Sequence, residues 1–354
     1  MKAAIIGLPQ SGKTTVFSAV TGVAPDFHTP REPRQGVVRV PDHRLDYLAQ
    51  TSTPKKVTPA TIEFVDVPGC SLDESKGQEE WRRLLPAVRQ ADLLVVVVRD
   101  FQNPAVPAYR NRVDPRADFE AVWEEIIFAD LETVTTRIDR IEQSLRKPTK
   151  THDTEKRELA LLTRCREALE SEQPLASVIT TDEERRELSS FAFLSEKPLV
   201  GVLNVSDDRA ASKETWQAPH FKETVVLSAS IEAEIARLEP QDRAVFLADL
   251  GLEAPAWDRL IQTCYRASGL ISFLTMNQEE ARAWTIHKGA TALEAAAKVH
   301  TDLARGFIRA ETVSYDDLFH YKDMKAARAA GRVRKEGKGY IVQDGDILQI
   351  LANV

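Results

Sequence analysis

The chain has 354 residues, more than one ordinary domain needs, so we expect two or three compact units. It is 43% hydrophobic and 29% charged, and neither Gly (15 residues) nor Pro (18 residues) is in excess, which excludes fibrous and disordered proteins. A net charge of −7 argues against bulk electrostatic attachment to nucleic acid, although local basic patches can still bind it.

The number of cysteines and the length of the apolar runs indicate the cellular compartment of the protein. Cys70, Cys165 and Cys264 are far apart and odd in number, which argues against a disulfide framework and favours a reducing environment. The histidines lack paired metal-ligand spacing, so no zinc site is predicted. The longest strongly apolar run, residues 93–98, is far shorter than the roughly 20 residues of a membrane span, and the N-terminus lacks a secretory-signal pattern. We therefore expect a cytoplasmic protein without membrane attachment.

Short apolar, β-branched runs alternate with longer polar or amphipathic segments along most of the chain. Such alternation predicts an α/β fold, a parallel sheet flanked by helices. The predicted strands are residues 3–6, 62–65, 93–98, 199–203 and 225–227.

A helical hairpin is predicted between two of these strands. Its first helix carries apolar residues at alternating steps of four and three, which is typical of a coiled-coil seam. A break is predicted at residues 147–150, after which a second helix returns antiparallel. Whether this arm is a solvated strut or binds a partner stays open. The seam residues are Ile127, Leu131, Val134, Ile138, Ile141 and Leu145, followed by Leu162, Cys165 and Leu169 on the second helix.

The pattern changes from about Gly269 to that of a small α+β module. Residues 270–274 and 283–286 predict a hairpin, residues 291–304 a helix, and residues 339–342 and 347–351 two strands. Thr291 and Glu294 form a predicted capping box that fixes where the helix begins.

A P-loop follows the first predicted strand. Residues 7–14 match G-x-x-x-x-G-K-[ST] and precede a predicted helix at 15–21, which is the context that the motif requires. Lys13 is expected to reach the β/γ-phosphates and Thr14 to coordinate Mg²⁺, while backbone N–H groups face the phosphates. The predicted nucleotide-binding set is Gly7, Leu8, Pro9, Gln10, Ser11, Gly12, Lys13, Thr14 and Thr15.

A D-x-x-G motif, Asp66 to Gly69, follows the second strand. Paired with a P-loop it indicates a switch-type NTPase: Asp66 supports Mg²⁺ and Gly69 offers its N–H to the γ-phosphate. Lys13, Thr14, Asp66 and Gly69 are thus the predicted catalytic residues. Thr29 is either a third metal-site residue, closing over Mg²⁺ as part of the first switch, or an ordinary loop hydroxyl.

Two motifs stand where a translation-type GTPase reads its base. The first has the order of N-K-x-D without the lysine, and the second resembles the further base-contacting loop. The alternatives are a turn-forming asparagine and a serine helix cap. The predicted base contacts are Asn204, Val205, Asp207, Ser228, Ala229 and Ser230.

These motifs and the segments around them resemble the Obg-like ATPase family, also called YchF-type, among the translation-factor-related P-loop NTPases. The resemblance covers nearly the whole chain and is strongest at its C-terminal end, which resembles the family's TGS domain, a ubiquitin-like β-grasp module. The matching segments are residues 1–9, 40–46, 63–66, 113–115, 228–234, 282–284, 300–302, 305–311, 336–338 and 344–346.

The resemblance implies a hydrolase of ATP and GTP, often preferring ATP, that acts near ribosomes or in stress responses. It implies a G-domain at residues 1–130 and 196–268, a coiled-coil arm at 131–195 and a TGS-like domain at 269–354. The arm and the TGS-like domain are the candidate ribosome- or RNA-binding parts. A basic cluster beside Tyr340 is either an RNA-phosphate contact or a solvated loop. It consists of Arg328, Arg332, Arg334, Lys335 and Lys338.

Several residues depart from the family's pattern. Gln10 replaces an Asn that holds a monovalent cation in related NTPases, and Ala108 stands where a water-positioning His is usual. After D-x-x-G the family has a hydrophobic residue instead of a catalytic Gln, and Cys70 in this chain likewise cannot orient water as an amide does. A bulky Gln78-Glu79-Glu80-Trp81 replaces a glycine-rich second switch, and Asp207 replaces a Glu. The prediction is therefore a slow Mg²⁺-dependent NTPase of open base preference. The alternatives are a nucleotide-gated binding protein that hardly hydrolyses and a ribosome adaptor with a vestigial site.

Overall fold

The computed structural model describes residues 1–24, 32–146, 152–212 and 214–353. It divides into two compact units, Met1–Val37 with Glu63–Cys264, and Val38–Ile62 with Tyr265–Val354. Residues 38–62, which lie within the predicted first part of the G-domain at residues 1–130, fall in the second unit. They pack with the C-terminal residues because strand Lys56–Thr58 pairs in parallel with strand Glu280–His287.

A mostly parallel sheet organises the first unit. In the described residues it has six strands in the order β2-β4-β1-β5-β6-β7, and the neighbours from β4 to β7 are parallel. The predicted α/β fold and all five predicted strands are confirmed. The strands are β1 (Lys2–Ile6), β2 (Arg34–Arg39), β4 (Thr61–Asp66), β5 (Leu93–Asp100), β6 (Leu199–Val205) and β7 (Phe221–Leu227).

The register of this sheet places the ends of its strands together. Ile5 pairs with Asp66 and Arg99 pairs with Asn204. Strands β5 and β6 are buried along almost their whole length, which accounts for their unbroken apolar sequence. Because parallel strands end at the same edge, the loops that follow β1, β4, β5, β6 and β7 converge there.

Helices cover the sheet, and two of them form the predicted antiparallel hairpin. Arg137 bonds Glu158, 21 residues away, and Ser144 bonds Glu155, 11 residues away. The sequence separation of the bonded residues falls along the hairpin, as expected of two antiparallel helices. The first hairpin helix begins at Pro115, capped by Asp114, and crosses the predicted boundary at residue 130 without a break. The predicted break at 147–150 lies outside the described residues. The helices are α1 (Lys13–Thr21), α3 (Ser75–Arg89), α4 (Pro115–Leu145), α5 (His152–Glu170), α6 (Asp182–Leu188), α7 (Ala229–Arg237), α8 (Pro240–Asp249) and α9 (Ala256–Ala267), of which α9 continues into the second unit.

The second unit contains a mixed sheet in the order β11-β10-β12-β8-β9-β3, six strands among the described residues, as expected of a TGS-like β-grasp module. Strands β12 and β8 are parallel, and β8 and β9 form the predicted hairpin. The elements are β3 (Lys56–Thr58), β8 (Leu270–Met276), β9 (Glu280–His287), β10 (Phe307–Ser314), β11 (Arg334–Glu336), β12 (Asp346–Ala352), α2 (His43–Ser52), α10 (Ala292–Val299), α11 (Thr301–Arg305), α12 (Tyr315–Tyr321) and α13 (Met324–Ala329).

Two predictions for this unit were wrong. The single helix at 291–304 is interrupted at His300, whose extended backbone (φ −161°, ψ 140°) ends α10 and caps α11. The predicted strand at 339–342 is only an isolated bridge between Thr291 and Ile341. The predicted capping box of Thr291 and Glu294 is present.

The described part of the chain contains no helix that combines the length and apolarity needed to cross a membrane.

Candidate nucleotide site

The turn between β1 and α1 forms a cradle for phosphate. Gly7 (φ 144°) and Gly12 (φ 96°) adopt backbone conformations that side chains disfavour, and a Cβ at Gly7 would lie 2.4 Å from the carbonyl oxygen of Val97. Gly12 caps α1, so the unpaired N–H groups of the first helical turn face this loop. Loop and helix N-terminus together form an anion-binding site.

Lys13 lies inside this cradle. Its side chain is 5% exposed, and its Nζ donates a 2.7 Å hydrogen bond to the carbonyl of Leu8. Burial lowers the pKa of Lys13 to about 8, while the nearby Asp66 carboxyl opposes that shift. Because this ammonium is poorly solvated, charge-assisted hydrogen bonds to a triphosphate would stabilise it strongly.

Asp66 and Thr14 meet where a metal would bind. Asp66 is buried at the end of β4, and its Oδ1 has no hydrogen-bond partner among the described residues. Burial raises the pKa of Asp66, while a hydrogen bond from Thr14 and the charge of Lys13 lower it. A hydroxyl and an unsatisfied carboxylate oxygen are ligands that suit Mg²⁺, which takes most of its others from phosphates and water. The donor set therefore fits Mg²⁺. Thr29, the predicted third member, lies outside the described residues.

Gly69 closes against the cradle from the other side. A Cβ there would come within 2.7 Å of Lys13 Nζ and 3.0 Å of Pro9 Cα, so only glycine fits without displacing the P-loop. The following Cys70 is 5% exposed, and burial raises the pKa of its thiol to about 11. Cys70 therefore stays protonated near neutral pH and cannot serve as a base.

The loops after β6 and β7 are tied to each other and to the P-loop. Asn204 donates to the carbonyl of Ser11 (3.0 Å) and accepts from the N–H of Ala229 (2.9 Å). Asp207 accepts hydrogen bonds from the hydroxyls of Ser228 (2.6 Å) and Ser230. Ser228 also caps α7, which is the alternative role that the sequence offered, and its contact with the base stays a prediction.

These loops enclose one cavity of about 870 Å³. Most of the predicted residues line it: Pro9, Gln10, Gly12, Lys13, Thr14, Thr15, Gly69, Asn204, Val205, Asp207, Ala229 and Ser230. Ser11, Asp66 and Ser228 are buried, and Gly7 and Leu8 face a smaller apolar pocket behind the loop.

Sequence reasoning missed one wall of this cavity. The loop after β5 contributes Phe101, Gln102, Asn103 and Val106. Its position directly after the strand at 93–98 was the available signal, because ligands of parallel sheets bind outside the carboxyl ends of the strands.

The same loop continues to the position of the missing histidine. Ala108 offers no polar side chain there, but the next two residues bind the segment after Cys70. Tyr109 and Arg110 both donate to the carboxylate of Asp73, at 2.7 Å from Tyr109 Oη and 2.7 Å from Arg110 Nε. Arg110 has a left-handed backbone (φ 55°), a strained conformation for a side-chain-bearing residue. We call this contact the Asp73 latch.

A P-loop with Lys13 and Thr14 faces Asp66 at the end of the neighbouring strand and Gly69 in the loop that follows it. This arrangement defines a P-loop nucleotide-binding protein of the switch-type NTPase class. Comparisons with known proteins specify the class further. Residues 2–127 match a family model described as "50S ribosome-binding GTPase", and residues 270–353 match the YchF-GTPase C-terminal model, described as a protein of unknown function.

Whole-length relatives agree with both models. The chain is 38% identical over 368 residues to the "Ribosome-binding ATPase YchF" of Bacillus subtilis, covering 100% of both chains. It is 37% identical over 365 residues to the protein of that name from Haemophilus influenzae, covering 100% of this chain and 99% of the relative. The structure of the Schizosaccharomyces pombe YchF GTPase matches with a TM-score of 0.83 and 26% identity, covering 99% of this chain and 97% of that one. The chain belongs to the YchF family, and the predicted resemblance is confirmed.

Proposed function

We propose that this protein binds a Mg²⁺–nucleoside triphosphate, ATP or GTP, in the cavity at the edge of the first sheet and hydrolyses it slowly. The single observation that supports this most directly is the buried Lys13 in the P-loop cradle, an ammonium whose one hydrogen-bond partner among the described residues is the carbonyl of Leu8. The charge of a triphosphate compensates this cation far better than a neutral carbonyl does.

The side chains have distinct roles in this proposal. Lys13 and the N–H groups of the P-loop neutralise charge on the β- and γ-phosphates, and Gly69 brings its N–H against the γ-phosphate. Thr14 and Asp66 hold Mg²⁺, which stabilises charge on the phosphate oxygens when bound. Phe101 offers an aromatic face, and Asp207 a carboxylate, on the side of the cavity where the base would lie.

Slow turnover follows from what the site lacks. Cys70 is a protonated thiol, which cannot orient water as an amide would, and Ala108 stands where the family usually has a water-positioning histidine. A hydrolase with neither group relies on positioning and charge neutralisation alone.

The test is phosphate release with ATP and GTP side by side in Mg²⁺, using Lys13→Ala as the background and Lys222→Ala, an exposed lysine on β7, as the matched control. We expect release by the wild type and by Lys222→Ala, and background release by Lys13→Ala. Wild-type turnover by Lys13→Ala would refute the site assignment.

The second candidate is a nucleotide-gated binding protein, favoured by the Asp73 latch, which ties the second switch to another loop. Its proposed partner is the ribosome in the cytoplasm, by similarity to relatives that are named ribosome-binding. Co-sedimentation with ribosomes, with diphosphate and triphosphate loaded separately, tests it. Equal binding in both states would contradict gating.

The arm at 131–195 and the TGS-like domain at 269–354 remain the proposed ribosome-binding parts. The basic cluster is a weaker candidate than its sequence suggests. Arg328 pairs with Glu311 (2.6 Å), and Arg332 lies 3.8 Å from Asp317. Arg334 lies 3.6 Å from Glu336. Carboxylates thus offset much of the charge that would attract RNA phosphates.

A further inference from the structure

Arg99 is a buried cation for which the proposed chemistry has no role. It lies at the end of β5 and is 2% exposed. Burying a guanidinium is costly unless its donors are satisfied. None of the ion pairs within 4.0 Å among the described residues involves Arg99. The hydrogen-bond acceptors of Arg99 therefore indicate what this buried charge does.

Those partners are main-chain carbonyls, and they belong to two walls of the nucleotide cavity. Nη1 donates to the carbonyl of Gln10 in the P-loop at 3.2 Å. Nη2 donates to Val106 (2.7 Å) and Nε to Phe101 (3.1 Å), and the guanidinium stacks over the Phe101 ring at 4.2 Å. Nη1 also reaches the carbonyl of Pro107 at 3.4 Å.

We propose that Arg99 is a positioning residue for the nucleotide, joining the P-loop turn at Gln10 to the wall formed by residues 101–107. The inference rests on the proposed function, because it concerns the same cavity. In this role, Arg99 fixes the position of the P-loop relative to the loop that contains Phe101.

Both joined segments need such a support. Gln10 has a left-handed backbone (φ 62°), which costs a residue with a side chain about 1 kcal/mol or more and persists only where neighbours fix it. Residues 101–107 contain no helix or strand, so side-chain donors determine where their carbonyls lie. A planar fork with five fixed donors can join several carbonyls at once, whereas a lysine ammonium cannot match that geometry.

The first experiment measures affinity for GTP, ATP and inorganic tripolyphosphate, each with Mg²⁺, by calorimetry. The variants are Arg99→Lys, which keeps the charge, and Arg99→Met, which keeps most of the volume. Losing a charge-assisted hydrogen bond predicts about tenfold weaker binding of both nucleotides in each variant. KM should rise with kcat within about threefold, since Arg99 is not expected to contact the transferring phosphate. The control is Arg209→Lys, an arginine that pairs with Asp100 at 2.8 Å and should stay within about twofold.

A second readout separates positioning from general stability. Replacing Gln10 by glycine relieves the left-handed strain, so Arg99→Lys should cost less tripolyphosphate affinity in a Gln10→Gly background than in the wild type. Equal losses in the two backgrounds would overturn the link to the P-loop.

A third measurement uses only the wild-type chain and so does not depend on the folding of a variant. In the ¹⁵N-labelled wild-type chain, saturating GTP or ATP should shift the Arg99 Nε–Hε resonance, and tripolyphosphate, which lacks a base to pack on residues 101–107, should shift it less. No shift with either nucleotide, or wild-type affinity in both Arg99 variants while Lys13→Ala loses binding, would overturn the proposal and leave the proposed function intact. Failure of the wild type to bind any nucleotide would instead refute the proposed function.

Discussion

The two sides of the nucleotide cavity are built in different ways. On the phosphate side, Gly7 to Thr14 are consecutive residues, and the turn, the helix cap and Lys13 follow from that one stretch. On the opposite side, where the base is proposed to lie and which we call the base side, contacts join residues that are far apart in sequence: Asn204 to Ser11, Asp207 to Ser228, and Arg99 to Gln10. The phosphate side thus depends on local sequence, and the base side depends on tertiary hydrogen bonds.

This difference predicts how each side fails. A change on the phosphate side removes a group that contacts the nucleotide. A change at Asn204 or Arg99 on the base side acts indirectly, because it leaves main-chain groups without partners and lets a loop move, whereas Asp207 is expected to contact the base itself. Four measurements test that distinction.

Asn204→Ala should weaken binding of both nucleotides and of tripolyphosphate by about 30-fold, because two buried main-chain groups, the carbonyl of Ser11 and the N–H of Ala229, lose their partner at roughly 1 kcal/mol or more each. Calorimetry with the three ligands measures this. Asn277→Ala is the matched control, since Asn277 bonds two main-chain N–H groups in the second unit. A loss for nucleotides alone would show that Asn204 acts on the base and not on the P-loop.

The sequence predicted the elements whose signal is local or strongly periodic. The five predicted strands of the first sheet contain buried apolar runs, whereas β2 is half exposed and was not predicted. The P-loop and the Thr291 capping box depend on neighbours in sequence. The helix at 291–304 was mispredicted because His300 is extended despite helix-compatible neighbours. The loop at 101–107 was missed because it has no motif of its own, and its place is set by Arg99, whose role is visible only in three dimensions.

The pairing of β3 with β9 shows the same limit. Lys56–Thr58 is a three-residue strand, too short for periodicity to reveal, and its partner lies more than 200 residues away. Nothing local in Val38–Ile62 indicates that this stretch packs with the C-terminal residues.

The kcat/KM for Mg²⁺–nucleotide should fall about tenfold per pH unit above pH 8, because the free protein binds phosphate with protonated Lys13, whose pKa burial lowers to about 8. Bound triphosphate stabilises the protonated form of Lys13 and so raises its pKa in the complex. The value of kcat should therefore stay constant to a higher pH than kcat/KM does. Parallel initial-rate profiles of wild type and Lys222→Ala from pH 6 to 10 measure both quantities. A kcat/KM that stays flat to pH 10 would show that Lys13 is protonated throughout.

Asp207→Asn should lower GTP affinity by about tenfold and leave ATP affinity within about threefold. A carboxylate accepts the two adjacent donors of guanine, N1–H and the amino group, whereas adenine presents one donor beside an acceptor. The hydroxyls of Ser228 and Ser230 hold this carboxylate in the cavity wall. Competition binding with a fluorescent nucleotide gives the two affinities, and Asp208→Asn, at the exposed neighbouring position, is the control. An equal fall for both nucleotides would indicate that Asp207 supports the loop and does not read the base.

The smallest expected effect concerns the Asp73 latch, which joins the missed loop to the second switch. Asp73→Asn should strengthen triphosphate binding by about threefold relative to diphosphate, because a half-exposed pair of this kind contributes roughly 0.2–1 kcal/mol and any nucleotide-driven movement of residues 70–75 must break it. The ratio of triphosphate to diphosphate affinity measures this, with Asp92→Asn in the same unit as control. High salt should reduce the difference, since exposed charges are screened. An unchanged ratio would mean that the second switch binds nucleotide without leaving the latch, and the loop at 101–112 would then act through Arg99 alone.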